Sequence, residues 1–157
     1  MEITFASEMD ISSIIRIEQI CFPELEAANE IEIKNRFLAF PENFLVAKMG
    51  TEVVGFITGG TSNNRNLPDV FYHDTSLHDS LGKYQTVFSL AVLPNYQKRG
   101  IASNLMESFV SLAKIRHKEG MILTCKEHLI PYYQKFEFNC KGVSKSLHGN
   151  TTWYDMF

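Results

Sequence analysis

The residues with the clearest chemical purpose stand together as Gln97-Lys98-Arg99-Gly100-Ile101-Ala102-Ser103. They follow a β-rich run that stops at Leu93-Pro94, and they open the strongest helical pattern in the chain. Gly100 lets the backbone approach a ligand closely, and small Ala102 leaves that approach clear. At a helix N-terminus the amides of Lys98 to Ser103 would face a phosphate, with Lys98 and Arg99 adding positive charge at the rim. A lone Gly-x-Ala after a strand would read as an ordinary strand-turn-helix connection, so the flanking residues decide.

Other side chains carry weaker signals. Glu24, Glu26, Glu30 and Glu32 read singly as a solvated helix face, yet together they favour a cationic ligand. His73 and His78 lie in a segment that can fold over a cleft and relay protons, although each alone reads as an exposed loop residue. His117 suits a helix C-terminus, and His128 and His148 read as helix-start and turn residues. Phe22, Phe37, Phe88 and Trp153 wall an aromatic pocket or fill the core. Cys125 reads as a small buried hydrophobe, and no spacing supports metal ligation.

These residues need a scaffold. Ile3–Phe5 reads as a strand, and Ser7-Glu8-Met9-Asp10 is a capping signal ahead of Ile11, Ile14 and Ile15 in a helix running to Cys21. After a loop over Pro23–Glu26, a second helix is predicted from Ala27 to Phe40, stopped by Pro41. Phe44–Met49 and Val53–Gly59 form a hairpin about Gly50-Thr51, Thr61–Pro68 is a loop, and Tyr84–Leu93 is one strand. Ala102, Leu105, Met106, Phe109, Val110 and Ala113 mark a helix for which Gly120 is the expected stop. Strand Met121–Cys125, helix His128–Phe136 and strands Asn139–Lys145 and Thr151–Met156 complete the order, the last two flanking His148-Gly149-Asn150. This pattern predicts an α/β (α+β) fold with a central mixed sheet, helices on both faces and a crossover in its second half.

Composition narrows the function. At 157 residues without repeat or linker, the expectation is one domain over 1–157. Fifteen Lys and Arg against 18 Asp and Glu give a net charge of -3, which argues against nucleic acid as the main partner. Three separated cysteines, Cys21, Cys125 and Cys140, suggest neither a disulfide framework nor a zinc site, which fits a reducing cytoplasm. Met1–Phe5 lacks a basic, then apolar, leader pattern and no stretch approaches a membrane span, so the expectation is a soluble, unprocessed protein with no membrane partner.

Preceded by Leu90-Ala91-Val92-x-Pro94, the Gln97-Lys98-Arg99-Gly100-Ile101-Ala102 run fits Q/R-x-x-G-x-G/A and resembles the acetyl-CoA signature of the GNAT N-acetyltransferase superfamily. The order of elements fits that family from Ile3 to Met156. Leu123-Thr124-Cys125 and Leu129-Ile130-Pro131-Tyr132-Tyr133-Gln134-Lys135-Phe136-Glu137-Phe138 further resemble the arylalkylamine branch, that of serotonin N-acetyltransferase. Cys21-Phe22-Pro23, Glu26-Ala27-Ala28, Ser76-Leu77-His78 and Trp153-x-x-Met156 do so as well.

The resemblance implies a mostly antiparallel mixed sheet with a splayed cofactor cleft and acetyl-CoA as acetyl donor, without a metal. The pyrophosphate would lie on Gln97, Lys98, Arg99, Gly100, Ile101, Ala102 and Ser103, and the pantetheine arm and thioester along the backbone of Leu90, Ala91 and Val92. Tyr133 falls at the family's general acid, a phenol of ordinary pKa ~10 able to protonate a thiolate whose acid form has ~8.5. Tyr132 is expected to pack. Phe22, Pro23, Glu26 and Phe88 fall at acceptor-binding positions. The branch carries two histidines where this chain has Thr86 and Phe88, so the base must be another group, such as Glu24, Glu26 or an ordered water. The implied activity is acetyl transfer to a small primary amine, an arylalkylamine or polyamine, by direct attack in a ternary complex. The alternatives are a peptide N-acetyltransferase and a non-catalytic acyl-CoA-binding module. The sequence leaves the choice between monomer and weak dimer unresolved.

Overall fold

Asp10 sets the start of the first helix, because its carboxylate accepts from the Ser7 backbone N–H at 2.9 Å and the Ser7 hydroxyl at 3.2 Å. A computed structural model describes residues 1–157. Strand β1 (Glu2–Phe5) precedes helix α1 (Ile11–Cys21), which buries Ile11, Ile14, Ile15, Ile17 and also Glu18. Helix α2 is Glu30–Ala39, three residues shorter at its start than the sequence pattern suggests. Asn29 and Glu32 form a reciprocal cap there, and the Ala28 N–H is donated to Glu18 instead of entering a helix.

The hairpin is present as β2 (Phe44–Met49) and β3 (Glu52–Thr58). Val54 is an extra residue opposite Ala47 and Lys48, so the alternation of faces shifts along β3. Thr61–Ser62, expected within a loop, is a short strand β4. The short helix α3 (Val70–His73) follows. The expected single strand over 84–93 is two, β5 (Tyr84–Thr86) and β6 (Ser89–Val92), belonging to different sheets.

Helix α4 (Ile101–Ile115) leads into β7 (Gly120–Cys125). Gly120 does not stop the helix; it begins the next strand and pairs with Tyr84. The stop is His117 in a left-handed conformation, where His117 N–H bonds Lys114 O and Lys118 N–H bonds Ala113 O. Helix α5 is only Ile130–Gln134, entered through a single 3-10 turn. Strands β8 (Cys140–Val143) and β9 (Tyr154–Met156) are shorter than expected.

One sheet has the order β1-β2-β3-β6 and the other β4-β5-β7-β9-β8. The core lies on both faces of the first. Phe44, Val46, Phe56 and Ala91 meet α1 and α2, while Leu45, Ala47, Ile57 and Val92 meet Leu105, Met106 and Phe109 of α4. β5 and β7 run parallel from Tyr84/Gly120 to Thr86/Ile122, and Val87 N–H reaches Ile122 O at 2.9 Å. Beyond that point β6 pairs with β3 alone and β7 with β9 alone. The two strands therefore diverge, leaving one edge of β6 free along an opening between the sheets.

Gly59 holds the break. A Cβ there would lie 1.9 Å from the Thr86 carbonyl oxygen, so only glycine permits this approach of the two chains. Thr86 N–H to Gly60 O and Phe88 N–H to Thr58 O carry the pairing across it.

Candidate active site

The turn after β6 has the form an anion needs. The Gln97 side-chain amide donates to Val92 O at 2.9 Å, and the Cys21 thiol donates to the same oxygen at 3.3 Å, fixing the turn to the strand end. Lys98 and Gly100 both take left-handed conformations, with φ of 63° and 80°. The first bond into α4 is Asn104 N–H to Gly100 O, leaving the amides of Ile101, Ala102 and Ser103 without an acceptor in the helix. A Cβ on Gly100 would meet nothing within 4 Å, so the cradle opens outward. Gln97, Lys98, Arg99 and Gly100 are exposed, while buried Ile101 anchors the helix start. Arg99 lies over the Tyr96 ring at 5.3 Å. Unpaired amides, a rim of positive charge and room beside Gly100 fit a diphosphate.

At the other end of the opening is a cavity of about 140 Å³. Its walls come from α1 and the following loop (Glu18, Phe22, Glu26, Ala28), α2 (Glu32, Arg36), β6 and its approach (Val87 to Leu90), and β7 (Leu123 to Cys125). Tyr133 of α5 closes one end, and Tyr72, His73, Ser146, His148 and Trp153 form a roof. Asp69 latches the roof by accepting from the Ser146 hydroxyl at 2.5 Å and the Leu147 N–H at 3.0 Å. His148 Nε2 donates to Glu26 O at 2.7 Å, and the His148 carbonyl accepts from Trp153 Nε1.

Of the residues expected in the acceptor region, Phe22, Glu26 and Phe88 line the cavity. Pro23 does not; it is exposed, and its carbonyl accepts from the Glu26 and Ala27 amides in a turn. Glu26 is not free to attract a cation, because Lys126 pairs with it at 2.9 Å. Glu24 is exposed, and Glu30 pairs with Lys34 on the surface, so the acidic cluster does not converge on a ligand. Thr86 turns its hydroxyl away to Gly60 O at 2.7 Å. His73 lines the cavity and pairs with Glu32 at 2.5 Å. His78 lies outside it, accepting the Thr61 N–H and packing on Phe40. Tyr132, read as packing, also exchanges a hydrogen bond with Ser103 at 3.2 Å and so ties α5 to the cradle. Leu90 lines the cavity, whereas Ala91 and Val92 contribute backbone at the free strand edge.

Two charged cavity residues went unrecognised in the sequence. Glu18, 3% exposed, accepts from the Ser89 hydroxyl at 2.7 Å and the Ala28 N–H at 2.9 Å. Burial pushes its carboxyl above the ordinary range, against the pull of those donors and of nearby Arg36. Arg36, 4% exposed, donates from Nη2 to Tyr72 O at 2.9 Å and lies 4.9 Å above the Phe88 ring. Both sit on apolar stripes, Ile11-Ile14-Ile15-Glu18 and Ile33-Arg36-Phe37-Phe40, so a charge at a stripe position was the available signal.

Tyr133 packs between Tyr132 and Phe138, and burial raises its phenol well above the ordinary value, helped by Cys125 and Tyr132. Burial likewise pushes the neighbouring Cys125 thiol up to about 11, with Cys140 adding to the effect. Tyr72, bonded to Thr124 at 3.0 Å, is pushed up to about 12 by burial. The cavity thus disfavours anions of thiols and phenols. It can hold a neutral acid beside a leaving sulfur and a carboxylate beside an amine.

Residues 11–138, from the start of α1 past α5, match the family model for the Acetyltransferase (GNAT) family. Among solved structures, the chain is similar to a GphF GNAT-like decarboxylase in complex with isobutyryl-CoA, with a TM-score of 0.82 at 15% identity over 99% of this chain and 97% of that one. It is also similar to Ard1 from Thermoplasma volcanium (TM-score 0.77, 23% identity, 99% and 94% covered). The ribosomal-protein-S18-alanine N-acetyltransferase from Escherichia coli gives a TM-score of 0.72 at 16% identity, with 99% and 90% covered. At these identities the likeness is one of fold. The family match, spanning the diverging strands and the anion cradle between them, places the chain in the GNAT acetyltransferase family, whose chemistry depends on acyl-CoA.

Proposed function

We propose that the protein transfers an acetyl group from acetyl-CoA to a small primary amine bearing an apolar or aromatic body, by direct attack in a ternary complex. The observation that carries this reading is a single cavity lined by both Glu18 and Tyr133 together with Phe22, Phe88 and Trp153. A peptide substrate needs an open groove, whereas here Ser146, held by Asp69, and His148 line the same cavity.

Acetyl-CoA supplies the thioester, held by its diphosphate on Gln97 to Ser103 and by its arm along β6. Glu18 binds the ammonium and takes its proton, its raised pKa suiting it to that work. The amine nitrogen then bonds to the thioester carbonyl carbon as the C–S bond breaks. Tyr133 gives its proton to the departing sulfur, in surroundings where a neighbouring thiol already holds its proton to about 11. Glu18 passes the first proton to solvent and only then takes the second from the reacting nitrogen, while Tyr133 regains its proton from solvent, so that one proton is released in total.

Release of free thiol from acetyl-CoA tests the reading, with phenylethylamine, tryptamine, spermidine and a lysine peptide as acceptors. Turnover with a small amine is expected. Turnover with the peptide alone would move the activity to protein acetylation, and CoA binding without amine-dependent release would indicate a binding module.

A further inference from the structure

The charges around the cavity do not all cancel locally. Glu26 pairs with Lys126 at 2.9 Å, and Glu32 is hydrogen-bonded to His73 at 2.5 Å. That leaves Glu18 and Arg36, one anion and one cation, both almost wholly buried in the same wall. They attract each other across the wall, and Glu32 adds to the field on Arg36, but no salt-bridge contact joins them. Glu18 has only the neutral donors Ser89 and Ala28, and Arg36 takes part in no salt bridge.

Arg36 is the more unusual of the two. Its Nη2 bond to Tyr72 O is its one hydrogen bond, and its Nε is buried without a partner. A buried guanidinium donor left unmade is costly, and the cost is recovered when a planar anion takes it. A guanidinium presents adjacent N–H groups in a fork that a carboxylate matches with two oxygens. The Phe88 ring beneath it and the Tyr72 carbonyl hold the plane in position.

We infer that the acceptor is a free amino acid with an apolar or aromatic side chain, its carboxylate on Arg36 and its amino group on Glu18. A zwitterion is the ligand that answers one unpaired cation and one unpaired anion at once, whereas a simple amine satisfies Glu18 and leaves Arg36 as it was. Phe22, Leu123, Leu129 and Trp153 then surround the side chain. This assignment rests on the small-amine reading and narrows it.

Matched pairs test it: phenylalanine against phenylethylamine, tryptophan against tryptamine and leucine against isopentylamine, each in the thiol-release assay with the wild-type enzyme. The amino acids are expected to show kcat/KM at least about tenfold higher than their decarboxylated partners. Arg36→Lys should raise KM for the amino acids more than it lowers kcat, and in folded Arg36→Gln the kcat/KM ratio of each amino acid to its amine should fall to about one. The wild-type comparison stands even if a variant fails to fold. Amines used as well as, or better than, the amino acids would overturn the assignment and leave the small-amine reading intact. Silence of every amino acid beside active amines would do the same, and peptide-only turnover would remove both. A preference for amino acids that survives in folded Arg36→Gln would show that Arg36 serves only Tyr72 and Phe88.

Discussion

Glu18 occupies the seventh position after Ile11 on a stripe that docking of α1 must bury, so the fold itself desolvates the carboxylate. The resulting upward shift from 4.5 has a kinetic sign: a base must be deprotonated, so turnover rises with pH through the raised value. Glu18→Gln can keep both contacts, accepting from Ala28 and donating to Ser89. It is expected to lower kcat/KM about 100-fold and to remove the acid limb of the pH–rate profile. An unchanged limb in that variant would assign it to another group. Tyr133 is also shifted upward by burial, staying protonated beyond the ordinary phenol value, so it adds no alkaline loss near neutrality. Tyr133→Phe should reduce kcat by about tenfold or more with CoA affinity by calorimetry unaltered. Wild-type turnover would remove it from the mechanism. The tyrosine was legible through its motif, whereas Glu18 and Arg36 were legible only as charges interrupting helical stripes, a pattern that also occurs when a helix end faces solvent.

The anion cradle was readable at the level of elements because strand, turn, glycine and helix start are local in sequence. The divergence of β6 from β7 was not. Tyr84 to Leu93 has one continuous β pattern, and what divides it is the contact of Gly59 with the Thr86 carbonyl, some 27 residues away along the chain. Gly59→Ala forces those backbones apart and is expected to cost about 2 kcal/mol, or roughly 4–8 °C in Tm. A thermal melt matching wild type would show that the strand break does not depend on that approach. The start of α2 was misplaced for a related reason. Ala27 and Ala28 favour helix, but the Ala28 amide is claimed by Glu18, and the Asn29–Glu32 cap begins the helix beyond it.

Across the whole molecule the cavity is assembled from distant pieces. Asp69 holds Ser146 and Leu147, Lys126 holds Glu26, and Glu26 O holds His148, all contacts between segments with no shared local pattern. This is why the cofactor end of the site was visible in the sequence and the acceptor end only in part, through Phe22, Glu26 and Phe88. The same assembly puts Glu18 and Tyr133 on one cavity beside the free edge of β6, the arrangement that the proposed ternary complex requires. Cys125 lies in that space with its thiol pushed up to about 11, a poor nucleophile for a covalent relay. The decisive measurement is therefore the initial-velocity pattern, with acetyl-CoA and a small amine acceptor varied against each other. Intersecting double-reciprocal lines are predicted, as required by a ternary complex. Parallel lines, the mark of an acetylated enzyme intermediate, or a rate independent of the amine would contradict direct transfer.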